Sequence, residues 1–351
     1  MPLLLNERGG HISCMLNGQM AVLRRQRVAE WSSAYGERKP VSARVSPFRS
    51  AAPLENKDNA ILQGVLYASV FDYPLTPEEL WRSLPRCSTS IDAMKRAIAE
   101  RPFLRDRIES IDGFYVPTGR RDLVDRRRQR ERSSQAFLTK HRRTLDMICA
   151  LPFTRLVAIS GSLAHLNADE DADLDLFIVT KGPRVWTVAL SLVVLSRLMR
   201  RRKAVCANFL LADSQLPLDQ HDLYTASQVL HLRPVIGAEM LGRFIEANPF
   251  VQEWFPNAST AASQAFPLPK AGWLRRLKRP LEALLSIPSS GIEAACRFVY
   301  GRHLRRRVSR WQSPDQVRLE PGCLKLHTHS HRAAVLEQLE ARIRRSVSRK
   351  P

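Results

Sequence analysis

No apolar run in this chain reaches the ~18–20 residues that a membrane-spanning helix needs. The nearest, residues 185–195 (VWTVALSLVVL), is short and carries Thr and Ser. The opening residues MPLLLNERGGH hold no apolar stretch followed by a small-residue cleavage site, so no signal peptide is expected. No CxxC pair joins any of the six cysteines (Cys14, Cys87, Cys149, Cys206, Cys296, Cys323). That scatter speaks against a zinc ribbon and supplies no disulfide framework. A reduced, cytoplasmic setting with no transmembrane segment is the expectation. No GxSxG motif points to a hydrolase. Aromatic residues are scarce at 7%, and acids are outnumbered, 34 against 55 Lys and Arg, for a formal charge of +21. That balance is compatible with polyanions such as nucleic acid, nucleotide or an acidic membrane surface. At 44% hydrophobic residues, 351 residues suffice for a sizeable core and two or three domains.

Four segments follow from the pattern along the chain. Residues 1–56 mix Arg, Ser, Pro and Gly without a lasting period and read as a basic, disordered leader. Residues 57–118 read as a small domain. An apolar helix is expected at 59–71, with a break at Asp72-Tyr73-Pro74. Thr76, Pro77, Glu78 and Glu79 then form a helix start: an N-cap, a Pro in the first turn and acids near the positive helix end. That helix covers 77–84, and a third, opened by Ser90, covers 90–100. Strands at 107–110 and 113–116 form a hairpin. Three helices and a hairpin make a winged-helix-like plan, either a DNA reader or a packing module. Residues 119–259 form the main domain, led by one long helix over 120–150 whose first half is very basic. That half is either a solvated face or a nucleic-acid contact. Residues 260–351 read as a helical region with a basic tail, fit for helix packing or for an anionic membrane or RNA surface.

The chemistry concentrates between residues 156 and 180. A buried strand at 156–160 runs into Gly161-Ser162, and Asp173-Leu174-Asp175 then leads into the apolar run LFIVT. Residues two apart on a strand share a face, so Asp173 and Asp175 project together, with Asp171 extending the row. Neighbouring carboxylates repel unless a cation joins them, and Mg²⁺ favours carboxylate oxygen plus substrate phosphate. Gly161-Ser162, between a strand and a helix, offers backbone N–H groups and a hydroxyl to phosphate oxygens.

The order strand, Gly-Ser, helix, Asp-x-Asp, strand, written here as GSLAHLNADEDADLDLFIVT, resembles the polymerase-beta-like nucleotidyltransferase superfamily. The segments VFDYPLTPEEL, VCANFLLAD, LYTASQVLHLRPVIGAEMLGRFIEAN and FPN are similar to a prokaryotic subgroup with a winged-helix-like N-terminal part. The resemblance covers roughly Asn59 to Asn257, with a fainter echo near Leu324-Lys325-Leu326-His327. It implies an α+β nucleotidyltransferase fold: a small mixed sheet with packed helices. It implies transfer of NMP from an NTP to an unidentified hydroxyl acceptor, with pyrophosphate released. Asp173 and Asp175 would be catalytic and hold two Mg²⁺ ions, while Gly161 and Ser162 would bind the nucleotide phosphates. Two positions depart from the family pattern. Leu166 stands where a second Gly is frequent, and the third carboxylate falls to Asn208 on a strand at 205–211, or to Asp213 just beyond. A catalytically inactive binding or regulatory protein, recognising DNA or a protein partner, is the alternative expectation.

A helix at Val185–Leu198 is expected to pack on the sheet. His327, His329 and His331 would share a face on a strand as a zinc set; on a helix only His327 and His331 would. A surface or capping role is the simpler reading.

Overall fold

The first helix, α1 (Lys57–Val70), is apolar nearly all round, and burial of Ile61, Leu62, Val65 and Leu66 makes it central to its neighbours. The structure is a computed structural model. It describes residues 57–348 apart from 170–171, 201–203, 259–272, 287–288 and 328–329. The expected leader, Asp171 and the middle of the His-rich run lie outside the described residues. Gly64 lets α2 (Pro77–Arg82) approach, since a Cβ there would meet Leu80 at 2.8 Å. Thr76 and Glu79 close a reciprocal capping box at the start of α2. Ser90 caps α3 (Ile91–Glu100) through the Ala93 amide. A short helix absent from the expectations, α4 (Pro102–Arg105), follows at once. Its sequence signal was Pro102 in the first helical position. Strands β1 (Ile108–Ile111) and β2 (Phe114–Pro117) pair antiparallel around Asp112-Gly113. Both turn residues have positive φ, 50° and 82°, as a tight hairpin turn requires.

The single helix expected over 120–150 is corrected to two, α5 (Asp122–Lys140) and α6 (Arg142–Cys149). His141 breaks the run, its ring buried and 4.3 Å from that of Phe137. The break turns the apolar stripe Leu145, Ile148 and Cys149 into the core beneath the sheet. The basic run of α5 is drawn into ion pairs. Arg126 reaches Asp72 at 2.5 Å, Arg128 reaches Asp112 at 3.0 Å, and Arg127 reaches Glu79 at 2.9 Å while lying over the Tyr73 ring. Arg130 meets Asp169 at 2.8 Å and also donates to Phe71 O and Asn167 Oδ1. Arg127 and Arg130 are buried, so losing either partner's carboxylate would strand a desolvated guanidinium.

The remaining elements build one sheet and its cover. In chain order they are β3 (Thr154–Ile159), α7 (Gly161–Ala164), β4 (Leu174–Thr180), α8 (Val185–Leu198), β5 (Val205–Ala212), α9 (Leu223–Leu230), β6 (Arg233–Ile236), α10 (Ala238–Glu246) and α11 (Phe250–Trp254). Then come α12 (Trp273–Arg276), α13 (Lys278–Ser286), α14 (Ser289–Arg305), β7 (Val317–Glu320), β8 (Cys323–Leu326) and α15 (Arg332–Ser348). The six-stranded order is β6-β3-β4-β5-β8-β7. Only β4 and β5 run parallel, so the sheet is mixed. The protein is thus a mixed α+β chain, rich in helices, around a mixed sheet.

Every residue of β4 is buried, which explains its unbroken apolar run. Alternation divides the core between the two faces. Ala158, Phe177 and Val179 pack with Phe244 and the N-terminal helices, whereas Val157, Leu176 and Ile178 pack with Trp186 of α8.

The expected helical region at 260–351 is corrected. Leu324 of β8 pairs with Leu210 of β5, so the sheet runs across the boundary expected at 259/260. The missed signal was two short alternating runs around Pro321-Gly322. α15 returns to α1, where Arg342 donates to Ser69 Oγ. The described residues from 57 to 348 accordingly belong to one compact unit. Among the described residues, no helix is long and apolar enough to cross a membrane.

Candidate metal centre

The candidate site sits where β4 begins. Asp173 immediately precedes the strand and Asp175 is its second residue. Both fall on the face that carries Phe177 and Val179. Parallel pairing sets Cys206 of β5 opposite Asp175. Ala207 then pairs with Leu176, but the next pair is Phe209 with Phe177, which leaves Asn208 as an extra residue in β5. This bulge resolves a conflict of parity. It keeps Cys206 on the Asp175 face and still returns Phe209 and Leu211 to that face farther along.

One oxygen each from Asp173 and Asp175, together with Cys206 Sγ, lie within 4.8 Å of one another, and this group could hold a metal ion. Asp175 is buried, and Asp173 is partly exposed. Asn208 Nδ2 donates to Asp175 Oδ1 at 2.5 Å, while Cys206 Sγ donates to Asn208 Oδ1 at 2.8 Å. The chain of donors fixes the buried carboxylate from the β5 side.

Gly161 fixes it from the other side. The Ser160 amide donates to the Asp175 carbonyl at 2.9 Å, ending the β3–β4 ladder. The backbone then turns with φ +65° at Gly161, and a Cβ there would lie 2.6 Å from Asp175 Oδ2. Only glycine permits this approach together with this φ. Ser162 is the second residue of α7 and is half-buried; its carbonyl accepts from the Asn167 amide. The Gly-Ser bend and the two aspartates are therefore brought together.

Leu166 adopts φ +53°, the conformation that glycine takes at no cost. The departure in residue type is thus not a departure in backbone shape. Packing of Leu166 against the core offsets a strain of about 1–2 kcal/mol.

Of the two candidates for a third ligand, the structure brings Asn208 to the cluster and leaves Asp213 beyond the far end of β5. Six residues of strand separate Asp213 from the Cys206 level, roughly 20 Å. There Asp213 accepts from the Gly182 amide at 2.9 Å and closes a turn. Asp169 is held by Arg130. Cys206 was missed; its signal was the Cys-x-Asn alternation in VCANFLLAD, read against Asp-x-Asp on a parallel neighbour.

A second group of polar rings, His165 and His231 half-buried and Tyr73 buried, adjoins the site. His165 directly follows α7 and lies tilted against His231 with ring centroids 4.2 Å apart; Tyr73 meets His165 edge-on at 5.4 Å, and Arg127 lies over Tyr73. Burial is the main cause that pushes both imidazoles below their ordinary value of 6.5. His231 and then Arg127 lower His165 further, whereas the Ser227 carbonyl and then Glu79 raise His231 in part. Both shifts favour the neutral rings in the folded state. Their contribution to stability is complete above the unfolded value near 6.5 and is lost as pH falls below it. The urea midpoint is expected to be lower at about pH 5 than at about pH 7.5, with a shallower pH slope in His231→Asn. Equal slopes in the two proteins would refute this account.

His327 lies against Phe209, and burial lowers its pKa to about 4. His329 lies outside the described residues, so the three-histidine expectation rests there. No protein-family model matches the chain, and neither the curated proteins nor the solved structures contain a match to it.

Proposed function

We propose that the chain is an Mg²⁺-dependent nucleotidyltransferase of the polymerase-beta-like kind. It would move NMP from an NTP to a hydroxyl acceptor and release pyrophosphate. The observation that carries this reading is the contact of the Gly161 turn with the Asp175 carboxylate, beside Asp173. The residues fit the ion: two carboxylates converge, and the Cys206 thiol donates to Asn208. Asp173 and Asp175 would hold two Mg²⁺ ions. Bound there, Mg²⁺ would supply neutralisation of phosphate charge and stabilisation of the attacking and leaving oxygens. Gly161 and Ser162 offer backbone N–H groups to the phosphate oxygens. Asn208 takes no proton and serves to hold Asp175 Oδ1. In the overall step the acceptor oxygen would bond to the α-phosphorus, the bond to pyrophosphate would break, and the hydroxyl proton would pass to solvent. On this reading residues 57–118, with three helices, a hairpin and the added α4, are a winged-helix-like module. The protein would work in the cytoplasm, where NTP is supplied.

Asn208 in place of a carboxylate favours a second reading, a nucleotide-binding or regulatory protein without turnover. The two are separated by incubating the protein with Mg²⁺ and each α-labelled NTP over a panel of nucleic-acid, protein and small-molecule hydroxyl acceptors. Label transfer with equal pyrophosphate release, abolished by chelation, is expected. Nucleotide binding without release from any NTP would establish the second reading.

A further inference from the structure

Between residues 273 and 310 the chain carries ten Lys or Arg and only two acids, Glu282 and Glu293. Both acids are spent inward. Glu282 Oε1 accepts from the Phe153 amide at 2.7 Å. Glu293 accepts from the Trp186 and Thr187 amides, each at 2.9 Å, and from Thr187 Oγ1 at 2.6 Å, fastening α14 to the start of α8. Two of the ten cations also face inward: Arg275 pairs with Asp146, and Lys278 donates to Thr154. The other eight are exposed arginines. Among the described residues none of these eight forms an ion pair. The outer side of this segment therefore carries charge of one sign.

The same helices expose large apolar side chains. Phe298 is 71% exposed and Leu284 is 69% exposed, with Leu281 and Val299 also open. The adjoining α8 leaves Leu198 77% exposed, and an open groove of about 330 Å³ lies between α8 and Cys296 of α14.

We propose that α13, α14 and the C-terminal end of α8 form a docking surface for an anionic lipid bilayer. The arginines would meet phosphate headgroups, and Phe298, Leu284 and Leu198 would enter the headgroup–acyl boundary. Charge and shape select this occupant. Nucleic acid would use the arginines but leaves exposed Leu and Val without a role, since phosphate contacts are polar. A second copy in an isologous contact would set eight arginines against eight. The proposal is independent of the metal centre.

The test is cosedimentation of the full chain with vesicles of phosphatidylcholine alone and of phosphatidylcholine mixed with phosphatidylglycerol. Partitioning is expected to be at least about tenfold stronger onto the anionic vesicles. Phe298→Ser with Leu284→Ser, and separately Arg305→Gln with Arg306→Gln and Arg307→Gln, should each reduce it about tenfold or more. All five side chains are exposed, so urea midpoints should match the parent and report intact folding. Three results would overturn the proposal. The first is no preference for the anionic vesicles. The second is oligonucleotide binding that depends on the arginines but not on the apolar pair. The third is self-association that Phe298→Ser abolishes.

Discussion

Asp175→Asn is expected to lower the proposed NMP transfer by at least about 10³-fold, some 4 kcal/mol of transition-state stabilisation, with little change in stability. The substitution keeps size and shape. The Asn208 amide still finds an acceptor oxygen at residue 175, so that donor is not orphaned. What disappears is one negative charge from a pair whose oxygens, with Cys206 Sγ, lie within 4.8 Å. Removing it relieves repulsion from Asp173, so the metal-free melting temperature should stay level or rise. If the parent binds Mg²⁺ as proposed, added Mg²⁺ should stabilise its folded state, and that stabilisation should vanish in the variant. Pyrophosphate release and thermal melts with and without Mg²⁺ measure both. Activity within tenfold of the parent would falsify a metal role for Asp175.

Gly161→Ala is expected to cost about 1–3 kcal/mol in backbone strain alone, because φ is +65° there. A further cost falls on the site. The new methyl would lie 2.6 Å from Asp175 Oδ2, and the carboxylate has no easy retreat. Asn208 holds its other oxygen, and the Ser160 amide holds its carbonyl. The carboxylate must rotate or the bend must open, so metal affinity should fall about tenfold or more, beyond what the loss of stability explains. Calorimetric Mg²⁺ titration beside urea unfolding separates the two effects. Unchanged affinity would show that the bend does not shape the carboxylate.

Asp173, Asp175 and the Gly-Ser bend were legible because each rests on local pattern. Asp-x-Asp before an apolar run sets a shared face, and Gly161-Ser162 between a strand and a helix marks a bend. α8 matched its expected bounds for the same reason: an apolar run of helical length. Cys206 and Asn208 depend on the register between β4 and β5, which is a property of two segments, and on a bulge that neither segment announces. The arginines of α5 were ambiguous because their partners, Asp72, Glu79, Asp112 and Asp169, come from distant turns and helices. Strands β7 and β8 are four residues each, too short to outweigh the helical pattern around them. Leu166 shows the reverse case, in which packing imposes a glycine-like backbone on a residue whose own preference opposes it.

The closing of the sheet by β8 has a consequence for how the chain is made. β5 leaves the ribosome about 110 residues before the strand that covers its edge, a delay on the order of ten seconds at ordinary translation speeds. Until then the nascent protein displays a naked row of amides and carbonyls beside an apolar surface, an invitation to pair with another chain. Biosynthesis of this protein therefore passes through an interval in which a chaperone, or dilution, would stand in for a strand not yet made.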